Sequence, residues 1–231
     1  DLHFSLPIYK KKSTDHPISD DYLPEWRELL SKRLYFDVED WLSAIKADNQ
    51  QIVHYVSESD ALQQKLQLKA SRGGRRVVLM WMPERMMPQT ANKLLKLIEE
   101  PPTETYFLLV SEDPEKVLGT IQSRTQRISV PRLQDEEIAQ ALVRMHGMTE
   151  EEARVMGRVA QGSYTAALKR MEAASEEKMF FDLFVRLMRL SYMRRIKDMR
   201  AWSEEVSELG RETQKRMLEY CQRLIRENFM F

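Results

Sequence analysis

The sequence predicts an α/β domain followed by an all-helical region. Apolar runs of strand length alternate with helical patterns as far as Pro131, and beyond it the pattern is helical throughout. The composition fits a soluble globular chain: of 231 residues, 42% are hydrophobic and 31% charged, which argues against disorder. Its 36 basic and 36 acidic side chains cancel, so the chain as a whole is not built to coat nucleic acid, which calls for a basic excess. Cys221 is the single cysteine, which excludes an intramolecular disulfide and a cysteine-built zinc cluster and suits a reduced, cytoplasmic setting. There is no run of eighteen apolar residues to form a membrane span. The chain opens at Asp1 in what reads as mid-strand and stops at Phe231 inside an apolar helical pattern, so the reading is of a fragment cut at both ends.

Leu2–Ile8 is a short apolar stretch ended by the solvated loop Lys10-Lys11-Lys12-Ser13. Pro24–Leu34 and Val38–Ala47 read as helices, the second with Asp37 placed to accept from free first-turn N–H groups. Ser59–Ala70 reads as a third helix, stopped by Gly73-Gly74. The continuous apolar run Arg76–Met82 predicts a strand buried on both faces. Pro88–Glu100 is a helix with Ala91, Leu94, Leu95 and Ile98 on one stripe, and Pro101-Pro102 stops it. Thr105–Val110 reads as another buried strand, Glu115–Gln122 as a short helix and Arg127–Val130 as a third strand. Such alternation predicts a mostly parallel sheet covered by helices.

After Pro131, Asp135–Met145 and Glu150–Ala160 are helices separated by His146-Gly147-Met148, with a capping box from Thr149 to Glu152. Gly162-Ser163 restarts a helix through Met171. Longer helices follow at Glu176–Met199, Trp202–Leu209 and from Glu212 onward, the last two parted by Gly210.

The specific block is residues 75–133. Ala91-Asn92-Lys93-Leu94-Leu95-Lys96-Leu97-Ile98-Glu99-Glu100-Pro101-Pro102 is followed by Phe107-Leu108-Leu109-Val110-Ser111 and Thr120-Ile121-Gln122-Ser123-Arg124. In order and spacing this resembles the clamp-loader branch of the AAA+ ATPases, whose Leu-Leu-Lys-x-Leu-Glu-Glu-Pro-Pro helix precedes a sensor-1 strand and a Ser-Arg-Cys motif. The specific likeness runs from about residue 75 to 170. It implies a three-layer αβα AAA+ core, truncated at its N-terminus, over 1–131, then a three-helix lid over 132–173 and an all-α collar over 174–231.

The resemblance implies that Arg124, with Ser123 beside it, is an arginine finger acting on a neighbouring subunit's ATP. A guanidinium stays protonated and presents a planar fork to phosphate oxygens as charge builds on them. Thr125 stands where the family has cysteine. Active members end the preceding strand in an Asp-Glu pair that holds magnesium. Aligned on that pair, this chain has Trp81 and Met82, an indole and a thioether that make poor ligands for a cation seeking hard oxygens. Glu84 is a candidate displaced carboxylate, but it lies past Pro83. No glycine sits in a G-x-x-x-x-G-K-[ST] loop. In Gly162-Ser163-Tyr164-Thr165-Ala166-Ala167-Leu168, Thr165 stands at the family's sensor-2 arginine.

Losing three nucleotide-side features while keeping the finger implies a stator that closes the subunit ring. The chain is then a non-hydrolysing subunit of the DNA polymerase III clamp loader, helping to load the sliding clamp onto primed DNA during replication. The partners that the resemblance implies are the gamma/tau and delta subunits and, through the complex, the clamp and primer-template DNA. No cofactor is expected, and no metal: His3, His16, His54 and His146 show no ligand spacing. Arg186, Arg189, Arg194, Arg195, Arg200, Arg216, Arg223 and Arg226 read as a solvated helix face mixed with glutamates rather than a DNA surface. Two other readings stay open, an ATP-hydrolysing gamma/tau-type subunit and a DNA-binding helical module on a vestigial AAA+ core.

Overall fold

The computed structural model describes residues 1–11, 15–47, 50–67 and 74–229. They divide into two compact units, Asp1–Val130 and Pro131–Phe231.

The first unit is a helix–sheet–helix sandwich around three parallel strands in the order β1-β2-β3, where β1 is Leu2–Ser5, β2 is Arg76–Trp81 and β3 is Thr105–Val110. Parallel neighbours need crossover connections, and helices supply them. Side chains alternate across the sheet, so β2 buries two sets at once. Val78 and Met80, with Phe107 and Leu109 of β3, pack against α3 (Val56–Gln67), α4 (Pro88–Glu99) and α5 (Gly119–Gln122). Leu79 and Trp81, with Phe4 and Leu6, pack against α1 (Leu23–Lys32) and α2 (Val38–Ala44). Asp37 caps α2 as expected, its carboxylate accepting from the Glu39 and Asp40 amides at 2.9 and 3.2 Å.

Two strand expectations are corrected. Thr105–Val110 forms its strand, but it is not buried on both faces: Tyr106, Leu108 and Val110 are half-exposed, because α1 and α2 cover β1 and β2 and stop short of the sheet's edge. Arg127–Val130 forms no strand. A β-strand exists by its ladder hydrogen bonds, and here Ile128 and Val130 stand 79% and 87% exposed without a partner strand among the described residues. The helix expected at Glu115–Gln122 splits into a single turn at Pro114–Lys116 and α5. The helix expected from Ser59 begins earlier, at Val56, and its expected end at Ala70 lies outside the described residues, as do Lys12, Ser13 and Gly73.

The second unit is all helical: α6 (Asp135–His146), α7 (Glu150–Ala160), α8 (Tyr164–Tyr192), α9 (Ile196–Ser207) and α10 (Arg211–Phe229). Thr149 and Glu152 form the expected capping box. Two apolar clusters hold it together, one from Ile138, Leu142, Ala153, Tyr164 and Ala167, the other from Phe180, Leu183, Met217 and Cys221. No break falls between Met171 and Glu176, where one was expected; α8 runs through as 29 residues. The helix expected to reach Met199 ends instead at Tyr192, where Arg194 turns left-handed at φ 50° and the Arg195 amide donates back to the Leu190 carbonyl. Gly162 is needed at its place. It takes φ 80°, and a Cβ there would sit 2.7 Å from the Arg132 Cβ and 2.9 Å from the Leu133 carbonyl oxygen.

Candidate functional site

Two corners of the first unit carry the residues singled out from the sequence. At the end of β2, Trp81 turns toward α1 and α2, and there it meets Trp26 at 5.4 Å between ring centroids, Phe36 at 5.7 Å and Trp41 at 6.5 Å. Trp26 in turn stands edge-on to Phe36 and Trp41, both at 5.4 Å. Offset and edge-on ring pairs of this kind add to the burial of large apolar surfaces. Trp81 is 8% exposed and Met82 4%. The end of β2 is therefore filled by aromatic core.

A buried polar chain fixes the backbone at the same point. The Nε2–H of His54 donates to the Trp81 carbonyl at 2.9 Å, which leaves Nδ1 to accept from the Ser5 hydroxyl at 3.2 Å. That arrangement needs a neutral ring, and burial pushes His54 down to about 4. Nearby, Glu58 accepts from the Ser19 amide at 2.7 Å while burial pushes its carboxyl above the ordinary range. Met82 then takes a left-handed turn at φ 56°, its amide donating to the Val110 carbonyl at 2.8 Å.

Glu84, the displaced-carboxylate candidate, is employed as a brace. One of its oxygens accepts from the Glu112 amide at 3.1 Å, tying the loop after β2 to the end of β3, and the other is buried with no partner among the described residues. The Glu112 carboxyl is pushed up, by burial first and then by the Glu84 and Asp37 charges. Among the described residues no group of three histidine, cysteine, aspartate or glutamate side chains is arranged to hold a metal.

The second corner joins α4 to α5. Ala91, Leu94 and Ile98 bury one stripe of α4, which sets its exposed end against α5, itself seated by buried Ile121. There the Arg124 Nε–H donates to Glu99 at 3.2 Å, and Nη1 donates to the Thr120 carbonyl at 3.0 Å and the Ser123 hydroxyl at 3.3 Å. The Ser123 hydroxyl donates to the Thr120 carbonyl at 3.2 Å, and Thr125 to the Ile121 carbonyl at 3.1 Å. The Arg124 side chain is 31% exposed and that of Glu99 56%, so this is a surface pair and not a buried ion pair.

The structure thus brings Ser123 and Arg124 together, and Trp81 and Met82 together. Thr165 lies in the other unit, in the first turn of α8 behind its N-cap Ser163, whose hydroxyl accepts from the Ala166 amide at 3.2 Å. The sequence reading missed Glu99 as the partner of Arg124 and His54 as a buried donor. A lone histidine between Val53 and Tyr55 carries no signal of its role. A glutamate in the last turn of a helix does carry one, since it sits at the negative end of the helix dipole and calls for a cation nearby. Of the eight arginines singled out in the second unit, five are ion-paired: Arg186 with Glu205, Arg195 with Asp198, Arg200 with Glu204, Arg216 with Glu176 and Arg223 with Glu177.

Residues 35–134 match the family described as "DNA polymerase III, delta subunit". The match extends upstream of residue 75, where the specific likeness legible in the sequence begins. The DNA polymerase III subunit delta' of Escherichia coli K12 is 33% identical over 105 residues, covering 46% of this chain and 31% of that protein. Subunit delta' of Pseudomonas aeruginosa is 45% identical over 62 residues, covering 27% of this chain and 19% of that protein. Subunit tau of Escherichia coli K12 is 31% identical over 126 residues, covering 52% of this chain and 19% of that protein. The matched stretches span less than a third of these relatives' own lengths. By these matches part of the chain is similar to the delta' and tau subunits of DNA polymerase III.

Proposed function

We propose that this chain is part of a non-hydrolysing clamp-loader subunit of the delta' type, which lends Arg124 to the ATP bound by a neighbouring subunit. The observation that carries the reading is the contrast between the two corners. Trp81 and Met82 are buried apolar side chains, and the motif resemblance aligns them with the magnesium carboxylates of an active ATPase. Arg124 sits at the surface, anchored through Nε and Nη1, and Nη2 has no partner among the described residues. Glu84, the nearest candidate for a metal carboxylate, is spent on the Glu112 amide, which weighs against a gamma/tau-type ATPase. The ion-paired arginines of the second unit and the zero net charge weigh against a DNA-coating module.

In this reading, residues 132–173 are the lid and 174–231 the collar. The separate apolar clusters around Leu142 and around Phe180 support that division. The expected partners are gamma/tau and delta subunits, and through them the sliding clamp and primed DNA. The expected setting is the cytoplasm; no helix among the described residues is long and apolar enough to cross a membrane.

The test is Arg124→Ala in the full-length protein, reconstituted with its partner subunits. Clamp- and DNA-stimulated ATP turnover should fall by roughly 10³-fold or more, the range of a trans arginine finger, while the complex still assembles. Unchanged turnover would remove the finger from this chain.

A further inference from the structure

From the Arg124 corner we infer that Glu99 is a positioning residue, which holds the finger's guanidinium in the orientation that meets phosphate; this rests on the finger reading above. Glu99 is the last residue of α4, where the helix's own partial negative charge makes a carboxylate unfavourable and a lysine or arginine welcome. A residue that breaks a local rule calls for a compensating gain elsewhere. Here the gain is the Arg124 Nε–H at 3.2 Å, a contact spanning 25 positions of sequence.

The geometry divides the guanidinium in two. Nε is held by Glu99, and Nη1 by the Thr120 carbonyl and the Ser123 hydroxyl. Because the group is planar, fixing two nitrogens fixes the third, so Nη2 is aimed without being used. Two carbonyl-and-hydroxyl contacts at Nη1 set a pivot, and only the Nε contact stops rotation about it. An arginine side chain otherwise has wide rotamer freedom, which would be lost again each time it engaged a phosphate. Anchoring of this kind acts on catalysis through geometry, where an error of an ångström can cost up to about 10²-fold in rate.

The experiment compares Glu99→Ala, Glu99→Gln and Arg124→Ala in the full-length protein within the reconstituted complex, reading kcat, KM for ATP and complex assembly. Glu99→Ala should lower kcat roughly tenfold at unchanged KM and unchanged assembly, since an interaction made only in the transition state appears in kcat. Glu99→Gln retains a carbonyl oxygen for the Nε–H and should restore most of that loss. Unchanged or raised kcat in Glu99→Ala overturns the positioning role, as does a loss that glutamine does not restore. If Glu99→Ala is silent while Arg124→Ala abolishes turnover, the finger stands and only its anchor falls. If Arg124→Ala is itself silent, both readings fall together.

Discussion

At the end of β2 the residues are fixed by burial, whereas at the α4–α5 corner they are fixed by charge at the surface. Trp81 is held by Trp26, Phe36 and Trp41 and by a hydrogen bond from a buried histidine to its carbonyl. Arg124 is held by one carboxylate, one carbonyl and one hydroxyl, all open to solvent. The first arrangement makes the unit stable and puts buried apolar side chains at the end of the strand. The second adds little stability and leaves a permanent cation where another molecule can reach it. Within one unit, the end of β2 is core, and the arginine at the α4–α5 corner is accessible.

The widest gap between the two corners should appear in stability. Trp81→Ala removes a buried indole from the aromatic cluster and should cost about 3–5 kcal/mol, read from the denaturant midpoint by circular dichroism. A cost below about 1 kcal/mol would mean that the cluster is not what holds this corner.

The next largest effect is on pH. Folding depresses the His54 pKa to about 4, so the neutral ring is the one that the fold accepts. The stability this contributes is present above the ordinary histidine value, about 6.5, and is lost as the pH falls toward 4, by roughly 3 kcal/mol over that window. Glu58 works in the opposite sense. Its carboxyl is pushed up, so its contribution is full at low pH and is lost as the pH rises through its folded value. It therefore does not account for an acid-side loss. Equilibrium denaturation between pH 7 and 4, on the parent and on His54→Gln, separates the two: the variant should lack the slope below 6.5. A variant that keeps the whole slope would assign it to other groups.

The smallest effect sharpens the contrast from the other side. Arg124→Ala should change stability by less than about 1 kcal/mol, because an exposed ion pair is screened and costs side-chain entropy to hold. A large destabilisation in the same denaturation assay would make Arg124 a structural residue and weaken its reading as a finger.

Particular elements show how far the sequence could be read. The α4 stripe, the Asp37 cap of α2 and the Thr149 capping box were legible, because each depends on residues a few positions apart. That positions 81 and 82 carry no carboxylate is read directly from the residues. The break at Arg194 was not legible. A left-handed turn at a residue other than glycine or asparagine has no local signature, and the packing of α9 and α10 against α8 imposes it. The pairing of Arg124 with Glu99 was equally hidden, since it depends on where two helix ends meet.

By itself, then, the sequence determined the alternation of strands and helices, the apolar faces of the helices, their caps and the absence of a carboxylate at positions 81 and 82. Only the tertiary structure decided that Trp26, Phe36, Trp41 and Trp81 gather into one cluster, that Arg127–Val130 stands unpaired and that Glu99 closes on Arg124. Periodicity and capping act over one or two turns of chain, so they are written in neighbouring residues. A strand's partner, a ring's neighbours and a guanidinium's anchor depend on where distant backbone segments are brought together, and that is set by the packing of the whole unit.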